Sequence, residues 1–491
     1  MFETINPLLL TSVSPLIGLF YLLLIPKTNV NHCRLATLYS SCVTFLLSLL
    51  IWIQFNQSSL FFQFCKTINW FSSLNFYYTV GIDGISLFFI LLTTFLIILC
   101  ILVSWESVTY YVKEYLISFL LLEFLLIQVF SVLDLFLFYL YFESVLIPMF
   151  LIIGIWGSRQ RKVRAAYQFF LYTLVGSLLM LIGLVYIYLN VGTTDLQILW
   201  NFNFSETQQI LLWLAFFASF AVKIPMVPFH IWLPEAHAEA PTSGSVILAG
   251  VLLKMGGYGF LRFSLPMFPV ATVYFTPLVF TLSLLAALYA SLTTLRQVDL
   301  KKIIAYSSVA HMSFVTVGIF TLNTQGVEGS IVLMLNHGLV SSALFLCVGV
   351  LYDRYKTRIL KYYGGLVQVM PLFTIFFLFF SFCNIGFPGT SSFIGELLVL
   401  LGSFQSNIFL TFTIAFSIIL SAGYSIWLLN RIGFGSLKLT YFTLFQDVSR
   451  REFYILLPLL FLILWMGLLP NNFLNEIHFT VSGLLEHCSN S

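Results

Sequence analysis

Long apolar runs, separated by short polar segments, fill almost the whole chain. Each run is close to the roughly 20 residues that an α-helix needs to cross the hydrocarbon core of a bilayer. The runs occupy residues 8–25, 36–54, 84–104, 115–131, 133–154, 167–190, 209–231, 243–263, 274–294, 302–322, 330–352, 370–402, 406–430 and 454–470. The pattern predicts an all-α, polytopic membrane protein with about fourteen transmembrane helices, which we number as spans 1 to 14.

Prolines and glycines interrupt two of these runs. In span 7, Pro225 and Pro228 closely follow Lys223, and each proline removes a backbone donor from the helix. The run of span 12 is too long for one straight crossing and contains Gly386 and Pro388. Interrupted helices are tolerated in a membrane only where protein or a water-filled cavity covers the exposed backbone. We therefore predict that spans 7 and 12 are broken helices.

The two broken spans lie five spans apart, which indicates an internal repeat. Pro-interrupted segments at corresponding places in two units are typical of inverted repeats in transporters. Spans 4–8 and 9–13 are the predicted repeats, and an odd number of spans per unit forces the second to lie upside down. We divide the chain into residues 1–112 (spans 1–3), 113–265 (first repeat), 266–430 (second repeat) and 431–491 (span 14 and a short tail).

The composition supports a membrane protein and narrows its chemistry. The chain is 60% hydrophobic and 8% charged, with a mean hydropathy of +0.99, a balance that soluble domains do not have. The first run follows Glu3 and no basic residue, so we interpret it as a span rather than a signal peptide. Seven scattered cysteines without a C-x-x-C pair argue against iron–sulfur, haem and zinc sites. We expect neither a redox cofactor nor a metal in this chain.

The placement of basic residues predicts the orientation. Most of the 22 Lys and Arg residues fall in loops that follow odd-numbered spans, whereas Lys66 and Arg262 lie on the other side or at its edge. The positive-inside rule places the odd-numbered loops in the matrix or cytoplasm. Both termini should therefore lie on the opposite face.

Ionisable residues inside the spans are the candidate functional groups. A lysine at mid-depth costs on the order of 3 kcal/mol on insertion scales, so Lys223 in span 7 is retained at a cost. Glu143 in span 5 is either a neutral, hydrogen-bonded carboxylic acid or the partner of Lys223. At ~4 Å and an effective dielectric near 20, such an ion pair gains about 4 kcal/mol, enough to control whether the lysine keeps its proton.

Two more charged residues occupy the second half of the same pattern. Lys254 lies at the centre of span 8, and the glycines that follow it should loosen the helix. The alternative is a glycine patch for helix packing with an incidental lysine. It is disfavoured because a mid-span lysine is costly. Glu396 follows the break in span 12 and is predicted to take the place that Lys223 holds in the first repeat. The alternative is a glutamate held by the dipole of a half-helix that starts near Thr390.

Two histidines and a further glutamate inside the spans are also candidate functional residues. His311 in span 10 and His337 in span 11 are either hydrogen-bonded core residues or a proton relay between Lys254 and Glu396. We favour the relay. Glu123 in span 4 is also buried, but it could face a neighbouring subunit and is a secondary candidate.

An acidic and histidine-containing segment follows span 7. Glu235, His237 and Glu239 have the side-chain types of metal ligands, but no fourth ligand is apparent. We favour a structured loop that caps span 8 through Thr242 or Ser243.

The segment from Lys223 to Gly259, K-I-P-M-V-P-F-H-I-W-L-P-E-A-H-A-E-A-P-T-S-G-S-V-I-L-A-G-V-L-L-K-M-G-G-Y-G, carries a family resemblance. It resembles the proton-translocating antiporter-like subunits of the NADH:quinone oxidoreductase/Mrp antiporter family. The resemblance extends over nearly the whole chain and includes D-G-I-S at 83–86, A-Y-S-S-V-A-H-M at 305–312 and N-H-G at 336–338. It implies that Glu143 and Lys223 form the key pair, that Lys254 is the central relay residue and that Glu396 releases the proton.

The resemblance also implies the setting. NADH, FMN, iron–sulfur clusters and ubiquinone would act in other subunits of respiratory complex I, and the partners would be other membrane-arm subunits, including neighbouring antiporter-like ones. The location would be the mitochondrial inner membrane, with a bacterial plasma membrane as the alternative. No nucleic-acid partner is expected.

Two other functions remain as alternatives. A cation/proton antiporter of the Mrp type could use the same buried residues, although a sodium site would demand more oxygen ligands at mid-depth. A purely structural subunit is disfavoured because several costly buried charges are retained.

Overall fold

A computed structural model describes residues 6–71, 75–438, 441 and 445–490 of the chain. These residues form a helical bundle with one short β-hairpin. The helices are α1 Pro7–Leu24, α2 Val30–Gln54, α3 Gly84–Ser107, α4 Val112–Ser131, α5 Leu135–Ser144, α6 Leu146–Trp156, α7 Lys162–Val191, α8 Leu196–Trp200, α9 Glu206–Lys223, α10 Trp232–Glu239, α11 Thr242–Ile247, α12 Leu253–Gly259, α13 Leu265–Met267, α14 Pro269–Arg296, α15 Leu300–Phe320, α16 Thr324–Tyr355, α17 Pro371–Ile385, α18 Ser391–Ser406, α19 Ile408–Gly433, α20 Arg450–Leu468 and α21 Asn471–Asn490. Two π-helical turns, Leu248–Leu252 and Phe260–Ser264, join α11, α12 and α13 into one crossing, and short 3₁₀ turns lie at Leu360–Tyr362 and Leu366–Gln368.

The predicted span count is confirmed. Twelve helical segments within the described residues are long and apolar enough to cross a membrane. Two further crossings are broken, one running from α9 to α10 and the other from α17 to α18. These are spans 7 and 12, as the prolines and glycines predict.

Side chains repair the backbone at each break. In span 7 the Trp232 indole donates to the Val222 carbonyl at 3.0 Å, a group near the end of α9. In span 12 the Ser392 hydroxyl donates to the Cys383 carbonyl at 2.5 Å. Gly386 ends α17 with φ +84, a left-handed conformation that glycine adopts without steric cost. One backbone carbonyl freed at each break therefore has a side-chain partner inside the protein.

The hairpin and the last helix are additions to the predicted all-α bundle. Strands β1 Gln63–Phe71 and β2 Phe76–Ile82 pair antiparallel between spans 2 and 3. Helix α21 follows span 14, where a short tail was expected. The apolar-run analysis missed the strands because they are too short to cross a bilayer, and it missed α21 because polar residues are interspersed along that helix.

The most buried helices carry three of the candidate residues, Lys254, His311 and His337. The apolar windows of the α11–α13 crossing and of α16 are 100% buried and that of α15 is 94% buried, whereas those of α2 and α20 are 28% buried. Polar and ionisable residues in a membrane bundle almost always face the protein interior. The ionisable side chains on α12, α15 and α16 are therefore held away from lipid.

Basic loops gather at one end of the bundle, which we call the basic end. Lys27 pairs with Glu114 there, and Asp299 lies within 3.8 Å of Arg159 and 3.7 Å of Arg358. These contacts join loops that the chain order separates widely, as the charge pattern predicts.

The opposite end carries the hairpin and both ends of the described chain, and we call it the hairpin end. The Asn6 amide donates to the Phe64 carbonyl at 2.5 Å, and Leu133 donates to Thr79 at 2.9 Å. The structure therefore places the basic loops and the two ends of the described chain at opposite ends of the bundle. Which end faces the matrix or cytoplasm stays a prediction.

Candidate functional site

Lys223 and Glu143 face each other but do not make a direct ion pair. Lys223 is the last residue of α9, where the negative end of the helix dipole favours a cation. Its ammonium lies 4.5 Å from the centroid of the Phe142 ring and has no hydrogen-bond partner among the described residues. Glu143 on α5 interacts with it electrostatically, yet the two make no ion pair within 4.0 Å, and one Glu143 oxygen is unpartnered too. The predicted contact near 4 Å is therefore not made.

This arrangement, which we call open, leaves the buried Lys223 ammonium without a polar partner, whereas the half-buried Glu143 also interacts with the Ser177 side chain. The cation–π contact with Phe142 compensates only part of the lost hydration of the ammonium.

Lys254 is held by the irregular backbone of its own span. It is fully buried, and its ammonium donates to the Ala249 carbonyl within the π-helical turn that precedes α12. A π-helical turn disturbs the regular hydrogen-bond ladder and leaves carbonyls available to side chains. The same ammonium lies 2.8 Å from His337 Nδ1 on α16.

The glycines after Lys254 act differently from the expectation that they loosen the helix. A Cβ at Gly256 would lie 2.7 Å from Ile224 Cγ1 and 3.0 Å from the Phe220 carbonyl. A Cβ at Gly257 would lie 2.4 Å from Met334 Sδ. The glycines therefore let α12 pack closely against α9 and α16. Irregularity comes from the flanking π-helical turns instead.

Four side chains form a row through the buried core. From Lys254 the row continues to His337, then to His311 on α15, whose ring centroid is 6.0 Å from that of His337. His311 Nδ1 lies 3.6 Å from Glu396 Oε1 on α18. We call Lys254, His337, His311 and Glu396 the central row. Sequence order did not dictate it, because the four residues come from four different helices.

Glu396 differs from its predicted position. It lies in α18, after the break of span 12, whereas Lys223 ends α9, before the break of span 7. The equivalence by chain position is therefore wrong. Its side chain reaches back to the break, because a Cβ at Gly386 would meet Glu396 Oε2 at 2.3 Å.

The segment at Glu235, His237 and Glu239 is a helix, α10, and not the predicted loop. Glu235 pairs with Lys302 at 2.5 Å, whereas Glu239 lies 3.7 Å from Arg358. The predicted cap is also wrong, since Pro241 occupies the N-cap of α11 and no side chain caps it. Within the described part of the chain, no group of three or more His, Cys, Asp or Glu is arranged to hold a metal ion.

His237 connects the central row with a buried polar cluster that sequence reasoning missed. It is fully buried against Phe345, with ring centroids 4.8 Å apart, and neither ring nitrogen has a partner among the described residues. It interacts electrostatically with both Lys254 and Lys301. The Lys301 ammonium is buried and donates to the Ala240 carbonyl at 2.7 Å.

Arg358 completes this cluster. It is fully buried, lies 3.7 Å from both Glu239 and Asp299, and makes no hydrogen bond through its guanidinium nitrogens to any described residue. Lys301 and Arg358 were missed because a count of basic residues by loop treats them as solvated loop charges. Their burial depends on how distant loops pack, which the hydropathy pattern does not report.

Two other buried carboxylates lie off the central row. Glu123 on α4 accepts a hydrogen bond from the Thr44 hydroxyl on α2, so it faces another helix of this chain rather than a neighbouring subunit. Asp83 makes a bidentate ion pair with Arg262, at 2.6 and 2.8 Å, and also caps α3. This pair ties span 3 to span 8 at the hairpin end.

Comparison with known proteins gives a consistent family assignment. The model of the family described as NADH:quinone oxidoreductase/Mrp antiporter, transmembrane, matches residues 132–421. The NADH-ubiquinone oxidoreductase chain 4 of Chondrus crispus is 74% identical over 486 residues, covering 99% of each chain. That of Marchantia polymorpha is 61% identical and covers 96% of each. NADH-quinone oxidoreductase subunit M of Rhodobacter capsulatus is 50% identical and covers 93% of this chain and 91% of its own.

Solved structures share the fold. A chain of respiratory complex I from Thermus thermophilus with bound NADH has a TM-score of 0.89 and 29% identity, covering 98% of this chain and 99% of its own. A chain of the Mrp complex from Dietzia sp. DQ12-45-1b has a TM-score of 0.82 at 19% identity, covering 97% of this chain and 52% of its own. The second similarity concerns the fold alone.

Proposed function

This chain belongs to the NADH:quinone oxidoreductase/Mrp antiporter family, and we propose that it translocates protons as a membrane-arm subunit of an NADH:ubiquinone oxidoreductase. The central row carries this proposal: four buried ionisable side chains follow one another, three of them on the most buried helices and the fourth, Glu396, on α18. Buried ionisable residues of this kind mark proton paths in membrane proteins. The names of the chain-4 relatives support the assignment to the complex.

The spacing within the central row determines how a proton moves. Lys254 and His337 are at hydrogen-bond distance, 2.8 Å, so a proton can pass between them directly. The next two steps are longer, with 6.0 Å between the imidazole centroids and 3.6 Å from His311 to Glu396. Each needs a ring rotation or a bridging water. These two gaps are the points at which transfer is interrupted.

The pair at Lys223 controls loading of the row. When Glu143 forms an ion pair with Lys223, the ammonium is stabilised and the proton stays on Lys223. When the pair opens, as in this structure, the ammonium loses its counter-ion and gives up its proton towards Lys254. Helix α12 packs directly on the end of α9, so the two lysines lie on adjoining elements.

Besides Lys223, a second route to Lys254 leads from the basic end through His237. His237 interacts with both Lys254 and Lys301, and its two unpartnered ring nitrogens can each accept or donate a proton. The buried cluster of Lys301, Arg358 and Glu239 provides polar groups along this side of the bundle. Glu396 lies at the other end of the central row and releases the proton towards the hairpin end.

Redox chemistry belongs to other subunits in this proposal. NADH, FMN, iron–sulfur clusters and ubiquinone act elsewhere in the complex, and neighbouring antiporter-like subunits transmit the driving force to this chain. The mitochondrial inner membrane is the proposed location, supported by ubiquinone oxidoreductase relatives from an alga and a plant. A cation/proton antiporter of the Mrp type is the alternative. The nitrogen-rich central row favours protons over metal cations, which prefer oxygen ligands.

The deciding experiment uses the assembled complex in proteoliposomes. Lys254→Ala should lower proton pumping per NADH at least tenfold, because it removes the first member of the central row. NADH oxidation by an artificial acceptor should persist. Lys27→Ala removes a lysine whose side chain is 74% exposed and is the matched control. Assembled Lys254→Ala complex that pumps at the wild-type ratio would refute the proposal.

A further inference from the structure

An apolar groove lies on the membrane-facing side of the bundle. Helices α2 and α20 form its walls, and α3 and α16 form its floor. It has a volume of about 260 Å³, and its lining is almost entirely apolar, with Phe45, Leu49, Leu92 and Leu462 among its side chains. Both wall helices are among the least buried in the molecule. We call it the α2–α20 groove.

Aromatic rings close the groove towards the hairpin end. The Trp52 ring lies 5.6 to 5.9 Å from the rings of Phe88, Trp465 and Phe473, measured between centroids. The groove is therefore blocked at one end and continues only towards the basic end. A second hollow follows the same seam of α3, α16 and α20 in that direction. It is lined by Val103, Leu346 and Ile455 and, at its polar side, by Asp353, Arg451 and Glu452.

Both walls begin at the basic end with an arginine. Arg34 lies in the first turns of α2 and Arg451 is the second residue of α20. The two interact electrostatically, and each also interacts with Glu106. Arg451 makes its ion pair with Glu106 at 2.8 Å, but the Glu106 side chain is 78% exposed. The Arg451 guanidinium therefore lines the second hollow, and Arg34 lies close enough to interact with it. The exposed Glu106 carboxylate between them can move into solvent.

The dimensions match one leaflet. Arg451 and Leu462 are eleven residues apart on α20, which corresponds to ~16 Å at 1.5 Å per residue. Half the hydrocarbon core of a bilayer is about 15 Å thick. An acyl chain whose headgroup meets the arginines would therefore end inside the groove at mid-depth.

The charge at the open end of the groove, and not its apolar area, indicates which kind of lipid binds there. An acyl chain gains little by moving from lipid to the groove, because both surroundings are equally apolar. Selectivity must come from the headgroup, and arginines bind phosphate through paired charge-assisted hydrogen bonds. Two neighbouring carboxylates do not cancel Arg451. Arg354 holds Glu452 at 2.6 Å, and Asp353 interacts with Lys356 and Lys301.

We propose that the α2–α20 groove holds one anionic phospholipid from the leaflet at the basic end. Its phosphate lies between Arg34 and Arg451, in place of the Glu106 carboxylate, and one acyl chain runs along the groove towards Trp52. This site is separate from the central row and does not depend on the proposed proton path.

Photo-crosslinking in the purified membrane complex that contains the full chain tests the site. The probes are phosphatidylglycerol and phosphatidylcholine that carry the same photoactivatable group on one acyl chain. We expect phosphatidylglycerol to label peptides of the groove at least fivefold more than phosphatidylcholine. Arg34→Gln with Arg451→Gln should abolish the preference. Arg161→Gln with Arg164→Gln removes the same charge at exposed positions of the basic end and should preserve it.

A second variant keeps the test decisive if the arginine variant fails to assemble. Leu462→Trp fills the groove without touching the headgroup site and should reduce labelling of the groove by either lipid. Equal labelling by the two lipids, or a preference that survives loss of both arginines, would overturn the proposal. Crosslinks from the groove to another protein segment, with no lipid adduct, would also overturn it and assign the groove to a partner helix.

Discussion

At the scale of single residues, the decisive feature is an ammonium without a partner. Lys223 is 3% exposed, and its Nζ contacts an aromatic face rather than a carboxylate. Burial of an unpaired charge is costly, so such a residue persists where its charge changes during function. Glu143 is close enough to influence it and too far to pair with it. The side chain of Glu143 therefore determines how readily the pair closes.

The effect of a substitution at Glu143 on proton pumping should depend more on the charge of the new side chain than on its length. Glu143→Gln removes the counter-ion and should lower proton pumping and coupled quinone reduction together by at least tenfold, equivalent to about 1.4 kcal/mol. Glu143→Asp keeps the charge with a shorter reach and should be milder. Pumping per NADH and quinone reduction in proteoliposomes measure both effects. Equal loss in the two variants would mean that geometry, and not charge, matters at this position.

At the scale of elements, the two broken spans were predictable and the central row was only partly so. Pro225, Pro228 and Gly386 identify the breaks because proline and glycine act on the local backbone.

His311 and Glu396 were identifiable as costly residues, but their 3.6 Å separation depends on the packing of α15 against α18. Lys301 and Arg358 look like loop charges in sequence and are buried in the fold. Hydropathy reports whether a segment crosses the membrane and does not report which faces meet.

Helix α12 packs so closely against the break of span 7 that adding one methyl group at Gly256 should disturb the contact. Gly256→Ala places a Cβ 3.0 Å from the Phe220 carbonyl, a backbone atom that cannot move alone. Overpacking of this kind costs about 1–3 kcal/mol. We expect a lower thermal stability of the complex and reduced pumping, because α12 carries Lys254.

Gly423→Ala is the matched control for that substitution. Gly423 is also within a helix, α19, but a Cβ there meets nothing within 4 Å. Its stability should equal or slightly exceed that of the wild type, since alanine favours helix by up to about 1 kcal/mol. If both variants lose stability equally, close packing of α12 on α9 is not the cause.

At the scale of the whole molecule, the two ends differ in charge and in what they connect. The basic end gathers the cationic loops, and the hairpin end gathers β1, β2 and both ends of the described chain. The central row lies at mid-depth between them, since each of its residues is near the middle of a crossing, and His237 and Lys301 lie towards the basic end. In the proposed path a proton enters from the basic end, moves along the row at mid-depth and leaves from Glu396 towards the hairpin end. The direction of transport therefore depends on which end faces which compartment.

Orientation can be tested with a cysteine that the chain already has. Cys65 lies exposed in β1 at the hairpin end, and Arg161→Cys would place a second thiol in an exposed loop at the basic end. The positive-inside rule predicts that a membrane-impermeant thiol reagent added to the outer face of sealed membranes labels Cys65 and spares residue 161. Cys65→Ser should remove the outer signal, and permeabilisation should expose residue 161. Labelling of residue 161 from the outer face would reverse the orientation and, with it, the direction of the proton path from His237 to Glu396.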